Sequence, residues 1–203
     1  MGRASMFPEM MSAIGRSMRR WAAHDMRVLV FAAYLVPATS LADSCANAVP
    51  SELGAALGSS FSSYRVPKET DNLAEYVRWS KKDQGRGCLG VATADFDGDG
   101  ARDWILGLSS KSGDGGLVVA AMSREASWEF HELAKWPEDR VSLYVDVGPR
   151  GTYVSAIEEA QRSSNESSPL TCENSVAVFG KVESTQAVYC NKSGSWQHVW
   201  TGD

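Results

Sequence analysis

The sequence predicts an α+β fold, with short N-terminal helices followed by a mainly antiparallel β-sheet that carries one aspartate-rich hairpin. Three observations predict it. Apolar residues recur at helical spacing before residue 82, as Leu53 with Leu57 and as Leu73 with Tyr76 and Val77. After Cys88 the pattern changes to short β-branched, aromatic or alternating runs, separated by clusters of Gly, Ser, Asp and Asn. Between two such runs stands Asp95-Phe96-Asp97-Gly98-Asp99-Gly100, dense in turn-forming residues.

In chain order, residues 1–42 carry five arginines against Glu9 and Asp25, a net of +3, so the total of −5 leaves −8 on residues 43–203. A basic head on an acidic body is the charge pattern of an export signal ahead of a secreted domain. Arg27, the apolar run over 28–36 and Ser40-Leu41-Ala42 supply a positive start, an apolar core and a small-x-small cleavage site. The run is too short for a comfortable membrane span. The expected division is an N-terminal extension plus signal peptide over 1–42, with the signal core at 26–42, and a single exported α+β domain over 43–203. That domain is expected to be secreted or periplasmic, with no membrane span after cleavage. Its acidity argues against nucleic acid as a partner.

Within 43–203 the spacing predicts a short helix over 50–57 and a loop leading into a second helix over 68–81. Strands are expected at 89–93 and 104–108, on either side of the aspartate loop. A turn at 109–116 (SSKSGDGG) precedes a central strand over 117–122 and a half-exposed one over 128–133. Residues 141–147 and 153–157 read as a pair around Gly148-Pro149-Arg150-Gly151, and 161–168 as a polar loop. Three more strands, at 175–182, 186–190 and 196–200, are joined by short turns.

All four cysteines, Cys45, Cys88, Cys172 and Cys190, follow the signal. An even count in an exported chain favours two disulfides. Of the three pairings we choose Cys45–Cys88 with Cys172–Cys190, because the last two flank a predicted hairpin. Zinc is disfavoured, since there is no C-x-x-C spacing and no histidine pair.

The aspartate loop carries the chemistry. Asp95, Asp97, Asp99 and Asp103 stand at positions 1, 3, 5 and 9, with Gly100 at 6. With the Ala101 carbonyl they form an oxygen donor set for a hard cation, and we expect a structural Ca2+ there. Four carboxylates within nine residues repel one another unless a cation relieves them. An EF-hand would need Glu at position 12 and helical flanks; this chain has Leu106 and strand-like flanks. The residues instead resemble the calcium loop of the FG-GAP and VCBS repeats, D-x-D-x-D-G-x-x-D followed by an apolar strand. Here the match is Asp95, Asp97, Asp99, Gly100 and Asp103, then Trp104-Ile105-Leu106, a single copy covering about 89–108. The resemblance implies calcium-stabilised β structure and a role in binding rather than catalysis. One copy cannot close a propeller.

His131 and His198 come without a G-x-S-x-G elbow, an H-E-x-x-H or a Cys/His constellation, so we read them as packing or surface residues. Six tryptophans follow residue 43, and Trp196, His198 and Trp200 share one face of the last strand. Exposed aromatics bind sugars or proteins; burial in a small core is the favoured alternative. The expectation is an exported, non-enzymatic protein with one structural calcium loop and a protein or glycan partner in the cell envelope. Two alternatives are an inhibitor or immunity-type protein of an exported enzyme, and a small envelope hydrolase using His131.

Overall fold

The computed structural model describes residues 43–137 and 141–202. The predicted extension and signal over 1–42 lie outside the described residues. The first helix, α1 (Ser44–Ala48), begins where the Asp43 carboxylate accepts hydrogen bonds from the Cys45 and Ala46 N–H groups, satisfying donors that a helix start leaves free. Helix α2 (Ser51–Ser60) starts directly after Pro50 and buries Leu53 and Leu57, one turn apart. Helix α3 (Ala74–Asp83) has Glu75 in its first turn and Lys81 and Lys82 in its last, signs that suit its dipole.

The first sheet contains β1 (Tyr64–Arg65), β2 (Val91–Ala94), β3 (Asp103–Ser110), β4 (Gly116–Arg124) and β5 (Ser127–Trp136). Strands β3, β4 and β5 form an antiparallel meander, and the other edge of β3 takes β2 along one half and β1 along the other. The second sheet runs β11 (Ser195–Thr201), β10 (Gln186–Lys192), β9 (Val176–Lys181), β6 (Leu143–Gly148), all antiparallel. A third, two-stranded ribbon pairs β7 (Gly151–Tyr153) with β8 (Leu170–Cys172).

Strand β4 shows how the layers stack. Val118, Ala120 and Met122 pack with Val145, Ala177, Phe179 and Tyr189 of the second sheet. The alternate residues Leu117, Val119 and Ala121 pack with Leu53, Leu57, Cys45 and Cys88. Both faces of β4 are therefore covered, which is why it reads as one continuous apolar run. The outer face of the second sheet, with Val176, Val178, Val188 and Val199, packs on Leu170 and Cys172 of the ribbon. One disulfide, Cys45–Cys88, ties α1 to the segment before β2; the other, Cys172–Cys190, ties the ribbon to the second sheet.

The α+β expectation, short N-terminal helices ahead of one sheet, is corrected. Among the described residues strand takes 42% against 20% helix, and the antiparallel strands form three sheets, so the fold is mainly β. The three short helices span 44–83 and are interrupted by β1. They add Cys45, Leu53, Leu57 and Val77 to a core that is otherwise supplied by strands and the segments between them. A second difference concerns β6. It does not pair with the segment after Gly148-Pro149-Arg150-Gly151; it pairs over six residues with β9. The buried Leu143 and Val145 find a long apolar partner in β9, and only the short 151–153 segment is left to pair with β8.

Candidate metal centre

The loop 95–102 joins β2 to β3, whose last ladder pair is Ala94 with Asp103. Its shape comes from carboxylates accepting hydrogen bonds from nearby backbone N–H groups, the usual behaviour of Asp in turns. Asp95 Oδ1 accepts from Gly98 N–H at 2.7 Å and its Oδ2 from Gly100 N–H at 2.9 Å. Asp97 Oδ1 accepts from Asp99 N–H at 3.3 Å, and Asp99 Oδ1 from Ala101 N–H at 2.7 Å. Gly98 and Gly100 have φ of +83° and +84°, a region that favours glycine. A Cβ at Gly98 would also stand 2.9 Å from Asn174 Oδ1, on the turn before β9.

These bonds bring one carboxylate oxygen each from Asp95, Asp97 and Asp99 within 4.8 Å of one another. Oxygens bound to one calcium at about 2.3–2.6 Å can be at most about 5 Å apart, so this spread fits. Each carboxylate offers about four lone-pair directions, and accepting one or two N–H bonds leaves capacity for a cation. The donor set is all oxygen, which suits a hard cation. The three aspartates could therefore hold a metal ion.

Asp103 stands apart from this group. It is fully buried, its Oδ2 accepts from Phe96 N–H at 3.0 Å and its Oδ1 from Ser123 N–H at 2.8 Å. Burial pushes its carboxyl above the ordinary range, the two N–H bonds hold it down in part, and Asp97 and Asp99 push it up further. Phe96, also fully buried, sits in the core between the sheets with its ring 6.3 Å from that of Trp196. Asp103 and Phe96 thus anchor the loop base to β4 and to the core. Ala101 is tied to the group through its N–H.

The sequence reading missed two neighbours. Arg124, at the end of β4, donates from Nη1 to Asp97 Oδ2 at 2.9 Å and to Asp99 Oδ2 at 3.4 Å, and from Nη2 to Glu129 Oε2 at 2.9 Å. Asn174 lies against Gly98. Neither has a motif or a fixed spacing from the loop; only the sheet packing brings them there.

Of the remaining candidates, both histidines and all but one of the described tryptophans lie against other rings or the core. His131 Nε2 is 3.1 Å from Glu129 Oε1, close enough for an ion pair when protonated but without hydrogen-bond alignment. His198 stacks on Tyr189 at 5.2 Å, and burial lowers its pKa against an opposing push from Glu166. Trp104, Trp128, Trp136, Trp196 and Trp200 pack against the two larger core clusters, whereas Trp79 is 50% exposed.

The two disulfides suit an oxidising, extracellular-type environment. Among the described residues no helix is long and apolar enough to cross a membrane. Comparison with known proteins finds no matching family, no similar curated protein and no similar solved structure.

Proposed function

We propose that this is an exported, non-enzymatic binding protein in which one structural calcium ion clips β2 to β3. The observation that carries the metal part is the convergence of Asp95, Asp97 and Asp99 oxygens within 4.8 Å on a loop whose two ends are hydrogen-bonded strands. The similarity of this loop to FG-GAP and VCBS calcium loops supports calcium over other hard cations. A clip between paired strands serves register and stability, and such a role needs no regulatory opening. Export is supported by the disulfides and by the basic, apolar and small-x-small pattern over 26–42. Binding rather than catalysis is supported by the packing of the His131 ring beside Trp196 and of His198 on Tyr189.

The test is a calcium titration of the oxidised protein followed by melting temperature. Calcium at about 100 times Kd adds about 2.7 kcal/mol, a rise of about 5–10 °C for a domain of this size. Equal midpoints in saturating calcium and in chelator would remove the clip.

A further inference from the structure

Away from the aspartate loop, a cleft of about 280 Å3 lies between α3, the segment 84–89 and strands β6, β9 and β10. Tyr76 and Trp79, three residues apart on α3, project from neighbouring positions of one helix face, and Tyr144 of β6 lines the same cleft. Trp79 is 50% exposed and Val147 36% exposed, so two of the four exposed large apolar side chains among the described residues meet in this cleft. Leaving an indole half in water forgoes burial that most tryptophans obtain.

The polar lining is held in place. Arg86 Nη2 donates to the Val145 carbonyl at 2.9 Å and its Nη1 is 3.2 Å from Asp146 Oδ1. The Tyr144 hydroxyl donates to Gln186 Oε1 at 2.9 Å, which leaves the Gln186 amide nitrogen as the end available to donate. Guanidinium and carboxylate each keep further hydrogen-bonding capacity, and a lining already ordered loses little entropy when a ligand arrives.

We infer that this cleft binds a saccharide of one or two pyranose rings, with Trp79 and Tyr76 against a C–H face and Arg86, Asp146 and Gln186 on the hydroxyls. The inference names the ligand class for the binding role proposed above and rests on it. Charge and polarity select this class. Arg86 against Asp146 and Glu183 gives the lining a net −1, within a body of −8, which disfavours phosphates, nucleotides and acidic lipids. A purely apolar ligand would strip water from the Arg86–Asp146 pair and return no hydrogen bonds. A sugar ring presents an apolar face and adjacent hydroxyls together, matching flat aromatics beside two-pronged polar groups. A volume near the lower limit of ligand pockets, about 300 Å3, suits one or two rings rather than a long chain.

The experiment titrates the full-length oxidised protein with glucose, galactose, mannose, N-acetylglucosamine and their β-1,4-linked disaccharides, reading tryptophan fluorescence and heat. At least one sugar should saturate with Kd below about 1 mM. Trp79→Ala should weaken that sugar at least tenfold without lowering the melting temperature, Trp79→Phe should weaken it less, and Asp146→Asn should weaken it severalfold. The inference is overturned if no sugar saturates below that limit, if Trp79→Ala binds like the parent, or if acetylated dipeptide amides saturate and sugars do not. Each titration is run in calcium and in chelator with a melting curve. Absent sugar binding beside an intact calcium shift removes only the saccharide assignment, and sugar binding without a calcium shift removes only the clip.

Discussion

Arg124 Nη1 donates to Asp97 Oδ2 at 2.9 Å, across 27 residues of chain, so the fold itself supplies a cation to the aspartate loop. A bound dication must share or displace this guanidinium. Arg124 is one-third exposed, and an ion pair of that kind is worth at most about 1 kcal/mol. Arg124→Gln is expected to tighten calcium binding by up to about fivefold and to lower the calcium-free melting temperature slightly. Isothermal calorimetry on both proteins measures this, and weaker binding in the variant would refute the competition.

Asp97 and Asp103 should separate cleanly. Asp97→Ala is expected to abolish the calcium-dependent rise in melting temperature and to leave the chelated protein near its original midpoint. Asp103→Ala strands two N–H groups, Phe96 and Ser123, beside a cavity, at a cost of about 2–4 kcal/mol. That loss should be alike in calcium and in chelator. Urea unfolding under both conditions tests the pair, and a loss seen only in calcium would return Asp103 to the ligand set.

Asp71 makes a pH-dependent contribution. Burial pushes its carboxyl up, but the Arg65 guanidinium, the Lys68 N–H and the Ser109 hydroxyl together bring it down to about 2 from 3.8. A lowered folded-state pKa gives stability that is present above the unfolded value and is lost as pH falls through about 2. The shift corresponds to about 2 kcal/mol at neutral pH. Asp71→Asn should cost about that much at neutral pH and progressively less between about pH 4 and 2. Denaturant midpoints across that range measure it, and a pH-independent cost would contradict the assignment.

The disulfides close loops of different length. By chain entropy, the separation of 43 residues at Cys45–Cys88 is worth about 4 kcal/mol and that of 18 at Cys172–Cys190 about 3 kcal/mol. Cys45→Ala with Cys88→Ala is therefore expected to destabilise more than Cys172→Ala with Cys190→Ala. Comparing the two double variants by urea unfolding decides the order.

Short-range chemistry was legible in the residues themselves. Asp and Gly over 95–100 specify a tight loop because the Asp carboxylates accept from backbone N–H groups two to five residues away and the glycines take the positive φ the turn needs. Leu53 with Leu57 marks α2, and the apolar run over 117–122 marks β4, since each period reports one element's buried face. Choices between distant partners were not legible. Asp103 stands at the ninth loop position in the sequence, and only the assembled sheets show that it accepts the Ser123 N–H of β4 and is buried. The pairing of β6 with β9, the arrival of Arg124 at Asp97, and the placing of Trp79 and Tyr144 on one cleft likewise depend on which apolar faces bury each other best. The sequence alone determined the aspartate turn, the even cysteine count and the main strand runs, because those rest on interactions between near neighbours. Only the tertiary structure decided that Asp95, Asp97 and Asp99 oxygens converge while Asp103 accepts the Phe96 and Ser123 N–H groups, and that β outweighs α, because burial is settled by competition across the whole chain.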